Sequence, residues 1–222
     1  MKHLIIILTL LLGVSGVSAR TRVAEDTLTI REAFINLPLD VVEILSRSSR
    51  LDMLDYLRNG EMRPVRNSMN GTSVVVAPAT DSLLNVEVTG SSRISLRLLR
   101  KGKRTIAACI STLGDSQQAC DSEISFYGEG MKPLKSKSLF PDLKIEDFLD
   151  FGPLTSLSPS ERKGLLALIP FPTFELAFDG DSSLITARLT VGTFMGQEDY
   201  DRLKPYIRDR RLYWTGSRYR LQ

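Results

Sequence analysis

From Val65 the apolar period changes from helical to two, and this change constrains the fold more than any other feature. Leu84, Val86 and Val88 alternate with Asn85, Glu87 and Thr89; Ile94, Leu96 and Leu98 resume the pattern after Gly90-Ser91-Ser92. Successive side chains of a strand point to opposite faces, so alternation of this kind buries one face of a sheet. Turn residues punctuate the run. Asn70-Gly71 precedes a strand over 73–77, the basic turn Arg100-Lys101-Gly102-Lys103-Arg104 leads into 105–112, and a polar loop over 114–118 leads into 119–127. Short connections join antiparallel neighbours, which predicts a meander of about five strands.

The flanks read differently. Upstream, residues 30–37 suit a short helix ended by Pro38, and Asp40 can cap a second helix through Leu45. Ser49-Arg50-Leu51-Asp52 fits a capping box, and the helix it opens carries Leu51, Leu54 and Leu57 before Asn59-Gly60. Downstream, residues 128–172 are rich in Pro and Gly, with a capping box at Ser158-Pro159-Ser160-Glu161 that starts a helix running through Leu168. Two hairpins follow. A turn centred between Asp181 and Ser182 sets Phe174, Leu176 and Phe178 against Leu189, Ala187 and Ile185. After a short helix over 197–203, Gly216-Ser217 suits a two-residue turn that sets Trp214 against Tyr219 and Leu212 against Leu221. The expected class is α+β. N-terminal helices pack on an antiparallel β-meander (20–130), and a smaller α+β half with two β-hairpins (131–222) packs on the first.

Residues 1–19 have the parts of a secretory signal peptide: Lys2 and His3, an apolar run over 4–12, then Val17-Ser18-Ala19. Cleavage near Ala19 would send the chain to the periplasm or to the extracellular, outer-envelope side. A membrane-spanning helix needs about 20 apolar residues, and no later stretch comes near that, so no span is expected after cleavage. The single histidine, His3, leaves with the leader. The remaining chain therefore lacks imidazole, which excludes Ser–His–Asp and Cys–His catalysis, and its two Cys alone cannot fill the tetrahedral ligand set of a zinc or copper site. No metal and no cofactor is expected.

Other motifs have structural readings. Ser160 and Lys163 match an S-x-x-K pattern in which Lys activates Ser, but a helix start explains them and the partner motifs are missing. Asp179-Gly180-Asp181-Ser182-Ser183 opens like a calcium loop, yet the sixth and twelfth positions are Leu184 and Thr190 instead of Gly and Glu. The acidic pairs Asp52/Asp55 and Glu198/Asp199 are assigned to helix starts, where carboxylates favour the positive end of the helix dipole. Cys109 and Cys120 fall in adjacent strands of a chain bound for an oxidising compartment, which suggests a disulfide. The apolar pattern pulls the other way. Pairing Ile106 with Ile124 sends Cys109 to the opposite face, and a bulge would be needed to reconcile the two.

Charge is unevenly spread. Residues 201–222 hold seven Lys/Arg against two Asp, a net +5, so the rest of the chain after the leader is acidic. In the last hairpin Arg211, Tyr213, Arg218 and Arg220 share the face opposite Trp214 and Leu212. They are the candidate binding residues, Arg and Tyr being enriched at interfaces. Export argues against nucleic acid, leaving an envelope protein or an acidic glycan as partner.

Several segments also carry a family likeness: residues 34–38, Ser49-Arg50-Leu51-Asp52-Met53-Leu54-Asp55-Tyr56, Asn70-Gly71-Thr72-Ser73, Asp81-Ser82-Leu83-Leu84 and 91–99. In this order they resemble a family of exported proteins of unknown function from Gram-negative anaerobic bacteria. The resemblance implies a periplasmic or outer-envelope location and supplies no catalytic residue. The function expected is a non-enzymatic binding module. The alternatives are a hydrolase using paired carboxylates or Ser160/Lys163, and a structural envelope protein that assembles through edge strands.

Overall fold

The alternating run forms six antiparallel strands that pair in chain order: β1 (Val65–Arg66), β2 (Thr72–Val76), β3 (Leu83–Thr89), β4 (Ser92–Lys101), β5 (Arg104–Gly114) and β6 (Cys120–Tyr127). The computed structural model describes residues 28–114, 119–152, 157–169, 171–180 and 182–222. The leader, its expected cleavage point and residues 115–118 of the expected loop lie outside these. The short β1, paired with β2 through Val65 and Ser73, adds one strand to the five expected.

One face of this sheet carries the N-terminal helices. Leu84, Val86, Ile94, Leu96, Ala107 and Cys109 pack there against Ala33, Phe34, Leu37, Leu45, Met53 and Leu54. Helix α1 (Ile30–Ile35) starts at a Thr29–Glu32 capping box, whose hydrogen bonds hold the Glu32 carboxyl below the usual range. Helix α2 (Arg47–Arg58) begins three residues earlier than expected. Ser46 is its cap, accepting from Ser49 N at 3.0 Å, which places Ser49 inside the first turn. Asp52 and Asp55 consequently sit within the helix, and Asp55 pairs with Arg31 (3.3 Å) and Arg58 (3.5 Å). Residues 39–45 form turns in place of the second helix expected from Asp40, with Val41 N, Val42 N and Leu45 N each bonded three residues back. Arg50 is buried, and its Nη1 donates to Phe34 O (3.0 Å) and Leu37 O (2.9 Å), tying α2 to the end of α1.

The C-terminal half covers the opposite face. Leu99, Ile106, Ala108, Ile110, Ile124 and Phe126 join one core with Leu176, Ile185, Ala187, Leu189, Leu203, Leu212 and Tyr219. Residues 106–110 of β5 are therefore all buried, three toward one layer and two toward the other. A strand covered on both faces loses its polar alternation.

Four strands form the second sheet in the order β10-β9-β8-β7: β7 (Phe174–Phe178), β8 (Ile185–Leu189), β9 (Arg210–Trp214) and β10 (Tyr219–Leu221). Both hairpin registers match expectation, with Phe174 opposite Leu189 and Trp214 opposite Tyr219. Among the described residues the α-helices of this half are α3 (Ser136–Leu139), α4 (Pro159–Ala167), opened by the Ser158–Glu161 box, and α5 (Gln197–Leu203). Strand β7 lies across the first sheet, and its outward N–H groups are satisfied by side chains of that sheet. Phe174 N donates to Asp121 Oδ1 (3.0 Å) and Leu176 N to Ser122 Oγ (3.1 Å). Glu175, almost buried, accepts from Arg93 on β4 and Arg188 on β8, while buried Arg97 donates to Gly180 O in the β7–β8 turn.

The cysteine expectation is overturned by the register of β5 and β6. Ile110 pairs with Ile124 and Gly114 with Cys120, a slide of four residues from the pairing read in the sequence. Cys109 sits opposite Ser125 on the helix face, while Cys120 shares a face with Ile124. Both are buried free thiols, and burial pushes the Cys109 thiol up to about 12. Gly114 makes this turn possible. It takes φ +98°, and a Cβ there would lie 2.1 Å from Ala119 O.

Candidate ligand-binding surface

The last hairpin turns through Thr215–Arg218, where Thr215 N donates to Arg218 O (3.0 Å) and Gly216 takes φ +84°. Pleating then sends Leu212 and Tyr219 into the core and leaves Arg211, Tyr213 and Arg220 exposed, with Tyr213 directly opposite Arg220. Arg218 is exposed at the end of the turn. All four candidate residues thus belong to one exposed region.

The other arginines of the basic tail have partners within the chain, while Lys204 stays exposed with its Nζ 6.0 Å from the Tyr200 ring centroid. Arg202 pairs with Asp199 (3.5 Å), Arg208 donates to Pro205 O and Ile207 O (both 2.8 Å), and Arg210 donates to Asp147 O. Arg211, Arg218 and Arg220 have no ion-pair partner among the described residues. These three side chains, with exposed Lys204 and Arg208, display the positive charge of the tail.

One hollow borders this hairpin and a second lies beyond it. A small one of about 250 Å³ is lined by Arg218, Tyr219, Arg220 and Leu221 on one side and by Lys137, Ser138, Phe140 and Pro141 on the other. Among these residues there is no carboxylate. A larger one of about 590 Å³ lies between α1, the β4–β5 hairpin and residues 128–134, with Lys101, Arg104 and Lys132 as cations and Glu32 and Glu129 as anions. Leu28, Ile106, Met131 and Leu134 supply apolar lining, and Asn36 and Thr105 neutral polar groups.

The wall at 128–134 is unusual in its backbone. Gly130 and Met131 both adopt left-handed angles, φ 62° and 56°, although Met131 is buried and not a glycine. Such a conformation costs roughly 1–3 kcal/mol and persists only where its surroundings enforce it. Here Gly128 N donates to Lys132 O (2.8 Å) and Met131 N to Gly128 O (3.0 Å), which closes the loop and sets Lys132 at the rim. Sequence reasoning identified the basic turn at 100–104 and missed this hollow, because the loop facing the turn has no periodicity.

An aromatic cluster connects the two regions beneath the surface. Trp214 stacks on Phe126 at 6.5 Å, and Tyr219 meets Trp214 at 5.2 Å and Phe140 at 5.8 Å. Trp214 Nε1 donates to Arg100 O at 2.8 Å, joining the two basic hairpins.

The other candidate residues are dispersed. Ser160 is exposed and rests on the capping Ser158 Oγ at 3.0 Å, and no hydrogen bond joins it to Lys163. Glu198 and Asp199 occupy the first turn of α5, as read from sequence. Among the described residues no three His, Cys, Asp or Glu side chains gather as metal ligands, and no helix is long and apolar enough to cross a membrane.

A family model for proteins of unknown function, DUF3256, matches residues 23–219. The chain belongs to this family. The likeness read from residues 34–100 to an uncharacterised family is thereby matched over almost the whole DUF3256 chain. Its fold is similar to a solved domain of an uncharacterized protein from Porphyromonas gingivalis W83, a Gram-negative anaerobe. The TM-score is 0.71 with 19% identity, over 86% of this chain and 96% of that one. At that identity the likeness establishes the α+β fold of the DUF3256 chain. No curated protein matches it.

Proposed function

We propose that this chain is exported, acts in the periplasm or outer envelope, and is a non-enzymatic binding module. Its contact surface is Arg211, Tyr213, Arg218 and Arg220, and its partner is acidic. The observation that carries the reading is clustering: Arg211, Arg218 and Arg220 lie exposed around Tyr213 on one hairpin with no ion-pair partner among the described residues, whereas Arg202 pairs with Asp199, and Arg208 and Arg210 donate to backbone carbonyls. Guanidinium groups left without internal partners can form charge-assisted, bidentate bonds to carboxylate, sulfate or phosphate. The leader-like residues 1–19 support export, and a sequence without imidazole beyond His3 supports a role in binding.

The test is affinity capture from envelope extract with wild type and Arg218→Glu/Arg220→Glu. The reading expects loss of at least one partner on charge reversal. Equal recovery of every partner by both proteins would eliminate the basic face as the site.

A further inference from the structure

We infer that the two basic hollows form one continuous track for a linear acidic polysaccharide, a chain whose sugars carry carboxylate or sulfate groups. The inference rests on the reading of the C-terminal hairpin as a binding surface, and it extends that surface to residues on three other segments. Lys101 and Arg104 on the β4–β5 hairpin, with Lys132 opposite, outnumber Glu32 and Glu129 around the larger hollow; Lys137, Arg218 and Arg220 flank the smaller, which has no carboxylate. All six cations are exposed, and none has an ion-pair partner among the described residues.

Continuity follows from the chain. Leu134 lines one hollow and Lys137 the other, and three residues span at most about 10 Å. On the far side, the bond from Trp214 Nε1 to Arg100 O puts the β9–β10 turn beside the β4–β5 turn. The cations therefore occur as two triplets along a single border, a spacing suited to repeated charges on a polymer.

The concave shape favours a polymer strand over a bilayer. The large exposed apolar residues, such as Leu39, Met69, Leu113 and Phe194, lie outside both hollows, so nothing there is placed to enter the acyl region. Neutral polar side chains also line the hollows, Asn36 and Thr105 in the larger and Ser138 in the smaller, and such groups suit sugar hydroxyls.

The test uses residues 20–222 and defined oligosaccharides of polygalacturonate and of heparin, as disaccharide and octasaccharide, titrated calorimetrically at several salt concentrations. Two surface variants are compared, Arg104→Gln/Lys132→Gln and Arg218→Gln/Arg220→Gln, each checked for an unchanged far-ultraviolet spectrum. The track expects the octasaccharide to bind the wild type at least tenfold tighter than the disaccharide. Each variant should weaken octasaccharide binding roughly tenfold and flatten its salt dependence.

If only the Arg218/Arg220 variant weakens binding, the continuous track is overturned and the basic-face reading survives. If neither variant matters, or no oligosaccharide binds, the track fails and the capture experiment alone judges the broader reading. Tighter binding to phosphatidylglycerol vesicles or to poly-glutamate than to the octasaccharide would also overturn it, pointing to a membrane or an acidic protein.

Discussion

Replacing Arg50 with Met tests how the helical layer is held, because two opposing effects meet at this residue. The guanidinium is buried without a carboxylate partner, and its Nε has no hydrogen bond. Removing a buried charge in exchange for an apolar side chain of similar length can be neutral or even stabilising. Against that stand the bonds from Nη1 to Phe34 O and Leu37 O. Phe34 O would keep Leu37 N, at 3.4 Å, whereas Leu37 O would lose the donor that now satisfies it. Losing a charge-assisted bond costs about 1.5–3 kcal/mol, and stranding a buried acceptor about 1–3 kcal/mol. Relief from burying the ion offsets part of this, so the net expectation is a loss of about 2–3 kcal/mol. Arg50→Lys should recover some of it, since an ammonium can still donate to one carbonyl. The assay is equilibrium urea unfolding followed by far-ultraviolet circular dichroism and by fluorescence of the single tryptophan, Trp214, which packs half-buried against the other core. A shared shift of both signals is expected. An Arg50→Met variant within about 0.5 kcal/mol of wild type would refute the assignment of these bonds as the tether.

Four other outcomes follow from the buried groups and the β5–β6 turn. Because burial raises the Cys109 thiol from near 9 to about 12, its contribution is full below pH 9 and is lost as pH climbs toward 12. Cys109→Ala should therefore flatten the alkaline fall in urea stability, and parallel profiles would contradict it. Both thiols should resist alkylation in the native protein and react once it is unfolded, and a disulfide-linked mass would contradict the register of β5 and β6. Gly114→Ala should cost more than about 2 kcal/mol in the same unfolding assay, because the backbone angle and the Ala119 carbonyl both oppose a Cβ. Tyr219→Phe should leave the melting temperature unchanged or higher, by up to about 1 kcal/mol in stability, since its buried hydroxyl has no partner; a clear loss would reveal a bond there.

The legibility of this fold in its sequence varied with how many faces of each strand are buried. The β7–β8 and β9–β10 registers were readable because one face of each hairpin is apolar and Gly216 marks a turn. In β5 the run Ile106-Ala107-Ala108-Cys109-Ile110 is apolar on both sides. Alternation there gives which face each residue takes but leaves the sliding position open. The expected pairing of Ile106 with Ile124 accordingly placed the two cysteines on opposite faces, correctly, while misjudging the slide by four residues. Among the helices, Ser46 and Ser49 are both plausible caps three residues apart, and only the packing of Arg50 and Met53 selects the first. Of the basic surface, the hairpin arginines were visible from pleating. Lys132 was not, because a loop closed by left-handed residues at Gly130 and Met131 leaves no periodic trace.

The doubly covered β5 also has a consequence for dissecting the molecule. A fragment ending at residue 130 would keep its strands and its helical layer but bare Leu99, Ile106, Ala108, Ile110, Ile124 and Phe126 to water. Such a fragment presents a contiguous oily plate, which favours self-association over solubility. The complementary piece, residues 131–222, would lack the surface on which its own sheet rests. Mapping of any activity on this protein therefore depends on point substitutions in the intact chain, since a cut at this boundary leaves both pieces with an uncovered core face.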